Sequence, residues 1–142
     1  MRKTKVFVDS DVVISSLISQ KGAAYLLLNE FKSNFVISDI SKKELEKVAK
    51  RLDIKQNQLQ DLIKKHLKVS KLKKEISKIK EEFKNYTTDI NDTHIVAGSV
   101  SAKTKFLLTY NIRHFQRQKI KEDLGIIVLT PAQFLQYLRS MD

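Results

Sequence analysis

The sequence predicts a three-layer α/β/α fold around a central, mostly parallel sheet of four to five strands, with residues 1–142 forming a single domain. Three observations lead to it. Short, purely apolar runs rich in Val, Ile, Leu and Phe recur along the chain, as in strands buried on both faces. Segments with helical spacing of apolar residues separate them. Strands alternating with helices favour parallel crossovers over hairpins.

The first strand, Lys5-Val6-Phe7-Val8, runs straight into Asp9-Ser10-Asp11, after which helical spacing begins at Val12 and continues to Ser19. In an open α/β sheet, ligands sit outside the carboxyl ends of the strands. Asp9 is therefore the first candidate for chemistry. Gly22 separates this helix from an apolar one over Ala23–Phe31, and Phe35–Ser38 forms a second strand. Ser41 and Glu44 have the S-x-x-E spacing of a capping box, which predicts a helix start at Ser41. The stripe Leu45, Val48, Ala49, Leu52 continues it, and Leu59, Leu62 and Ile63 mark a second helix over Ile54–Leu67.

Lys68–Leu72 is expected as a short strand and Lys73–Tyr86 as an amphipathic helix. Thr87–Asp92 is polar and turn-prone. It leads into a helix over Thr93–Val100, whose small residues permit close packing on a sheet. Lys105–Thr109 is a strand ending at Tyr110-Asn111, Ile112–Lys119 a loop with a short helix, and Ile126–Leu129 the last strand. Thr130 as N-cap and Pro131 at the first helical position open the final helix. Tyr25, Phe31, Phe106, Phe115, Phe134 and Tyr137 are expected in the core.

Charge narrows the partners. The formal net charge is +11, and residues 41–85 hold 15 Lys+Arg against 7 Asp+Glu. This basic helical segment, at about 41–86, is either a solvated arm or a surface that faces phosphates. The chain has no cysteine, which excludes disulfides and thiolate metal sites. No apolar run reaches the ~18 residues of a membrane helix, so no membrane partner is expected and the location expected is the cytoplasm.

Candidate site residues lie at element ends: Asp9 after the first strand, Glu44 in a first helical turn, Asp92 before a helix, and Asn111 after the strand at Lys105–Thr109. A parallel sheet brings such ends to one edge. Clustered carboxylates with no Cys and no clustered His suit a hard cation, Mg²⁺ or Mn²⁺, of the kind that supports phosphodiester hydrolysis. Auxiliary candidates are Ser10, Asp11, Asp89, Thr109 and Arg113. Each acid has a structural reading too: Glu44 completes a capping box, Asp89, Asn91 or Asp92 caps a helix, and Ser10 or Asp11 caps the first one. His66, His94 and His114 lack metal-ligand spacing and are expected at or near the surface.

The order of these motifs resembles that of PIN-domain nucleases. Positions 6–15, Val-Phe-Val-Asp-Ser-Asp-Val-Val-Ile-Ser, look like the family's opening motif, and Ser-Lys-Lys-Glu-Leu-Glu-Lys-Val (41–48) is similar to the segment carrying its glutamate. Asp-Ile-Asn-Asp-Thr-His-Ile-Val-Ala (89–97) resembles the third acidic motif, with Asp92 in the key position. Phe-Leu-Leu-Thr-Tyr-Asn (106–111) resembles the strand that ends in Thr-Gly-Asp. The resemblance implies a PIN-like fold, a Mg²⁺/Mn²⁺ site at Asp9, Glu44 and Asp92, and endoribonuclease activity on RNA. It also implies similarity to the VapC-like toxins of type II toxin–antitoxin pairs, with an antitoxin protein as inhibitor and a homodimeric state. Tyr110-Asn111 replaces the family's Gly-Asp, so Asn111 is expected as a neutral ligand or water-orienting group, and Asp11 stands where Asn is usual. Two binding readings without catalysis compete: a PIN scaffold disarmed at Asn111, and a helix-turn-helix DNA reader over residues 45–63.

Overall fold

The computed structural model describes residues 4–141. Strands β1 (Lys5–Val8), β2 (Asn34–Ser38), β3 (Leu67–Ser70), β4 (Phe106–Leu108) and β5 (Ile127–Leu129) form one sheet in the order β3-β2-β1-β4-β5. Every neighbouring pair is parallel. Helices α1 (Ser10–Ile18), α2 (Ala23–Glu30), α3 (Asp39–Arg51), α4 (Gln56–His66), α5 (Ile76–Phe83), α6 (Thr93–Ser101) and α7 (Arg117–Leu124) occupy the crossovers, and α8 (Pro131–Ser140) follows β5.

Strand alternation divides the core into two layers. Val6, Val8, Phe35, Ile37, Phe106 and Leu108 pack with residues of α1–α4 and α8 on one face. Phe7, Val36, Leu107 and Val128 pack with α5, α6 and α7 on the other. The chain first steps outward from β1 to β3, then returns to β4 and β5. Crossovers of constant hand require its helices to change faces when that direction reverses. The reversal point lies between β1 and β4, where Val8 pairs with Leu108. This is the switch point at which open α/β sheets bind ligands.

Local details refine the sequence reading. The capping box is not at Ser41: Ser38, at the end of β2, caps α3 by accepting from the Ser41 N–H at 3.0 Å. Ser41 is instead buried inside the first turn, which frees Glu44 from a capping role. The predicted cap at Thr130 is present, with Gln133 completing a reciprocal box. After Asn111, the region expected as a loop with a short helix forms a 3₁₀ turn and then α7, which runs past Lys119 to Leu124. Phe106, Phe115 and Phe134 are buried as expected, while Tyr25, Phe31 and Tyr137 are half-buried at the edge of the core.

The basic region does not form one arm, because β3 divides it. Helices α3 and α4 lie on one face and α5 on the other. The 45–63 segment is a helical hairpin carrying the chain from β2 to β3. Asp53 supplies the turn with φ 57° in place of a glycine, and Leu45, Ala49, Leu59, Leu62 and Ile63 face the core. On α6, Gly98 allows the close approach anticipated from its small residues. A Cβ there would lie 2.7 Å from the fully buried Phe7 ring.

Candidate active site

Backbone register builds the centre of the site. Asp9 and Thr109 each stand one residue beyond the paired ends of β1 and β4. The Asp9 N–H donates to the Leu108 carbonyl at 2.9 Å, and the Thr109 N–H to the Leu129 carbonyl at 3.0 Å. Thr109 is fully buried. Its hydroxyl donates to Asp9 Oδ2 at 2.9 Å and accepts from the Asn111 N–H at 3.0 Å. Asp9 also caps α1, with Oδ1 accepting from the Ser10 N–H at 2.7 Å. The carboxylate that marks the end of β1 is thus the N-cap too, a role the sequence reading had offered to Ser10 or Asp11.

Asp11 joins this group from the first turn of α1. Its Oδ2 accepts from the Tyr110 N–H at 3.0 Å and lies 3.5 Å from the Thr109 hydroxyl. Burial removes water from these carboxylates, and each opposes ionisation of the next. Burial first and Asp11 second push the Asp9 carboxyl up from 3.8 to about 7, and Asp92 adds a smaller push. Asp11 is also raised, chiefly by burial.

Asp92 arrives through a connection that is tied to the loop after β4. Thr87 bridges to Phe115, and the Thr88 N–H donates to the His114 carbonyl at 2.9 Å. His114 Nδ1 then stands 3.3 Å from Asp92 Oδ2. Asp92 is raised by burial and by Asp89, with both His114 and His94 acting against the shift. Asp89 itself shapes the turn, accepting from the Asn91 N–H at 2.9 Å.

Glu44 forms a separate pair. Its Oε2 lies 3.1 Å from His94 Nε2, and His94 is buried in α6, two residues past Asp92. Beside them opens a cleft of about 400 Å³, lined by Lys43, Lys47, Lys80 and Asn91 among others. The expectation that the histidines lie at or near the surface holds for exposed His114 and half-buried His66 and fails for His94, which is buried. His94 contacts one candidate acid and His114 another, through contacts made between elements far apart in sequence, which linear spacing cannot reveal. His94 stands at Asp92 + 2 at the start of a helix, the one signal that pointed there. His66 is half-buried on α4 beside a different cleft. Asn111 and Arg113 are exposed, and Asn111 is tied to the acid cluster through the Thr109 hydroxyl.

Among the described residues, no three His, Asp or Glu side chains are gathered into a ready-made metal cage. Repelling carboxylates lean instead on Thr109, the Tyr110 N–H and the histidines. The donor chemistry nevertheless fits a hard cation. Asp11 Oδ1 and Asp92 Oδ2 are buried without a well-directed hydrogen-bond donor, and three neighbouring acids all resist ionisation. A divalent ion removes both costs at once.

Known proteins share this fold. The fold defines an α/β protein with an all-parallel sheet, and a family profile described as PIN domain matches residues 5–113. The chain belongs to the PIN-domain family. Its fold is similar to that of a chain in VapBC2 from Rickettsia felis bound to a DNA fragment from the promoter, with TM-score 0.60 and 17% identity over 89% of this chain and 98% of that one. It is also similar to a toxin–antitoxin complex from Klebsiella pneumoniae, at 0.64 and 19% over 89% and 97% of the two chains. VapBC-1 from nontypeable Haemophilus influenzae gives 0.63 and 16% over 91% and 99%. No curated protein sequence matches significantly.

Proposed function

We propose that the chain is a metal-dependent endoribonuclease of the toxin–antitoxin type, hydrolysing RNA phosphodiester bonds in the cytoplasm. The observation that carries this reading is the group of acids raised by burial and mutual repulsion at the switch point of a PIN-domain sheet. Perturbed titration of clustered groups in a cleft is a mark of functional sites. The lysine-lined cleft beside Glu44 supports a polyanionic substrate, as does the net charge.

In this reading Asp9, Asp92 and Glu44 hold Mg²⁺ or Mn²⁺, directly or through water. Such an ion neutralises phosphate charge and lowers the pKa of a water. Thr109 and the Ser10 N–H fix the Asp9 carboxylate, and His94 holds Glu44 in place. Asp11 and Asp89 add negative charge to the site. Lys43, Lys47 and Lys80 draw in the RNA backbone, while Arg113 and His114 sit where a neighbouring phosphate passes. Asn111 offers a neutral oxygen where the family usually has a fourth acid, which favours one tight ion over two. The fold likeness to chains of VapBC complexes supports a cognate antitoxin protein as partner, and the homodimer that the family resemblance implies is part of the same proposal.

The test pairs wild type with Asp92→Asn on mixed RNA in Mg²⁺, Mn²⁺ and EDTA. Cleavage that needs the metal and is lost in the folded variant is the expected result. Cleavage that survives EDTA or the substitution refutes the assignment. RNA binding by folded wild type without turnover in either metal selects the second reading, a scaffold disarmed at Asn111.

A further inference from the structure

We infer that Tyr110 and the groove beside it along α1 form a subsite that stacks one unpaired nucleobase of the substrate. This rests on the nuclease reading for the word substrate, but not for the binding event. Tyr110 is 44% exposed although it follows a fully buried strand end. Its position is fixed by the backbone: the Tyr110 N–H donates to Asp11 Oδ2 at 3.0 Å. Its hydroxyl lies 3.5 Å from Ser15 Oγ, one turn further along α1. The ring is therefore held at the rim of the acid cluster without being consumed by the core.

Ser15 in turn lines a groove of about 490 Å³ that begins at Ser10 and Asp11 and continues past Ile14, Ile18 and Val48. A phosphate drawn to a cation at the acid cluster would leave the attached nucleoside within reach of this groove, which begins at Ser10 and Asp11. An apolar floor with serine hydroxyls along it suits a flat heterocycle with polar edges, and an exposed tyrosine supplies a stacking face. A paired base is already stacked and cannot enter. A glycine at position 110, the residue usual at this place in the motif, offers no such face. The subsite is thus a property of this chain's own sequence.

The experiment measures binding of a short single-stranded RNA library, with 2-aminopurine in place of adenine, to the Asp92→Asn protein in Mg²⁺. Tyr110→Ala and Tyr110→Phe are made on the same background. Because Tyr110 is exposed and its anchor is a backbone N–H, both variants keep the fold, which circular dichroism verifies. The parent and Tyr110→Phe are expected to quench 2-aminopurine fluorescence. Tyr110→Ala loses the quenching and binds roughly 5- to 100-fold more weakly, the loss of one base–aromatic stack. RNA duplex binding is unchanged by either substitution. Equal binding and quenching by parent and Tyr110→Ala overturns the subsite, as does a parent that binds no single-stranded RNA. So does binding of a protein partner, and not RNA, that depends on Tyr110. Tyr110-dependent stacking in a wild type that never cleaves keeps the subsite and sinks the nuclease. Cleavage whose KM and site choice ignore Tyr110→Ala does the reverse.

Discussion

Replacing Asp9 with Asn is expected to stabilise the metal-free protein at alkaline pH while removing its activity. The folded carboxyl titrates near 7 against 3.8 for the ordinary value. A group raised in the folded state costs stability once the unfolded chain has ionised. The metal-free protein therefore loses stability as pH rises from about 4 to about 7, and the loss is complete above that. The full difference corresponds to at most about 4 kcal/mol. Asp9 is half-buried and shares its burden with Asp11, so screening and relaxation leave about 1–3 kcal/mol. Asn keeps the oxygen that accepts from the Ser10 N–H, and its amide can donate to the Thr109 hydroxyl, so the hydrogen bonds re-form without the charge. Thermal unfolding in EDTA should show Asp9→Asn melting about 3–10 °C above wild type at pH 8 and with little difference at pH 4. Adding Mn²⁺ at pH 8 should raise wild type more than the variant, because the ion binds the folded site. A gain of equal size at both pH values, or none at pH 8, refutes the reasoning.

Thr109→Val keeps the shape of a fully buried side chain but removes the hydroxyl shared by Asp9 and the Asn111 N–H. It should cost about 1–3 kcal/mol in chemical denaturation, and an unchanged midpoint would deny Thr109 that role. Gly98→Ala gains about 1 kcal/mol of helix propensity, but its Cβ meets the buried Phe7 ring at 2.7 Å. Overpacking should win, for a net loss of about 1–2 kcal/mol, and a rise in melting temperature would contradict the close packing. Asn111→Asp restores a fourth acid at an exposed position beside the cluster. Calorimetry should then record tighter or additional Mn²⁺ binding, and metal titrations identical to wild type would show that Asn111 stands outside the metal's reach.

The fold was legible because its information is local. Runs such as Val6-Phe7-Val8 and Phe106-Leu107-Leu108 are buried on both faces, so their composition declares the strand with no help from neighbours. Thr130 and Pro131 declared their helix start in the same way. The error at Ser41 has a local cause: Ser38 and Ser41 are both serines three residues apart, and only the end of β2 decides which of them turns out of the sheet. Asp9 and Asp92 could be named as candidates because each stands at an element end, and Glu44 because of its spacing from Ser41, although α3 starts at Asp39 and so holds Glu44 in its second turn and not its first. Their partners could not. His94 reaches Glu44 across 50 positions and His114 reaches Asp92 through the bridge at Thr87. Those are properties of packed layers, and no periodicity within one segment encodes them.

The capping and chemical readings of Asp9 turn out not to compete. Its Oδ1 caps α1 and its Oδ2 takes the Thr109 hydroxyl, which would account for an acceptor at this position and nothing more. Ser, Thr or Asn caps a helix about as well as Asp, and any of them would do so without charge. Structure alone therefore favours a neutral residue here, since the carboxylate is desolvated and faces Asp11 and, at longer range, Asp92. The same holds two residues later. A neutral Asn at position 11 could accept the Tyr110 N–H that Asp11 accepts, and would relieve Asp9. Positions 9 and 11 thus both carry the more costly of two residues that fit. That excess negative charge serves no hydrogen bond in the fold. In the proposed function, a cation brought in with a phosphate would turn it from a cost into an attraction, which is why the proposal rests on the acids and not on the fold they sit on.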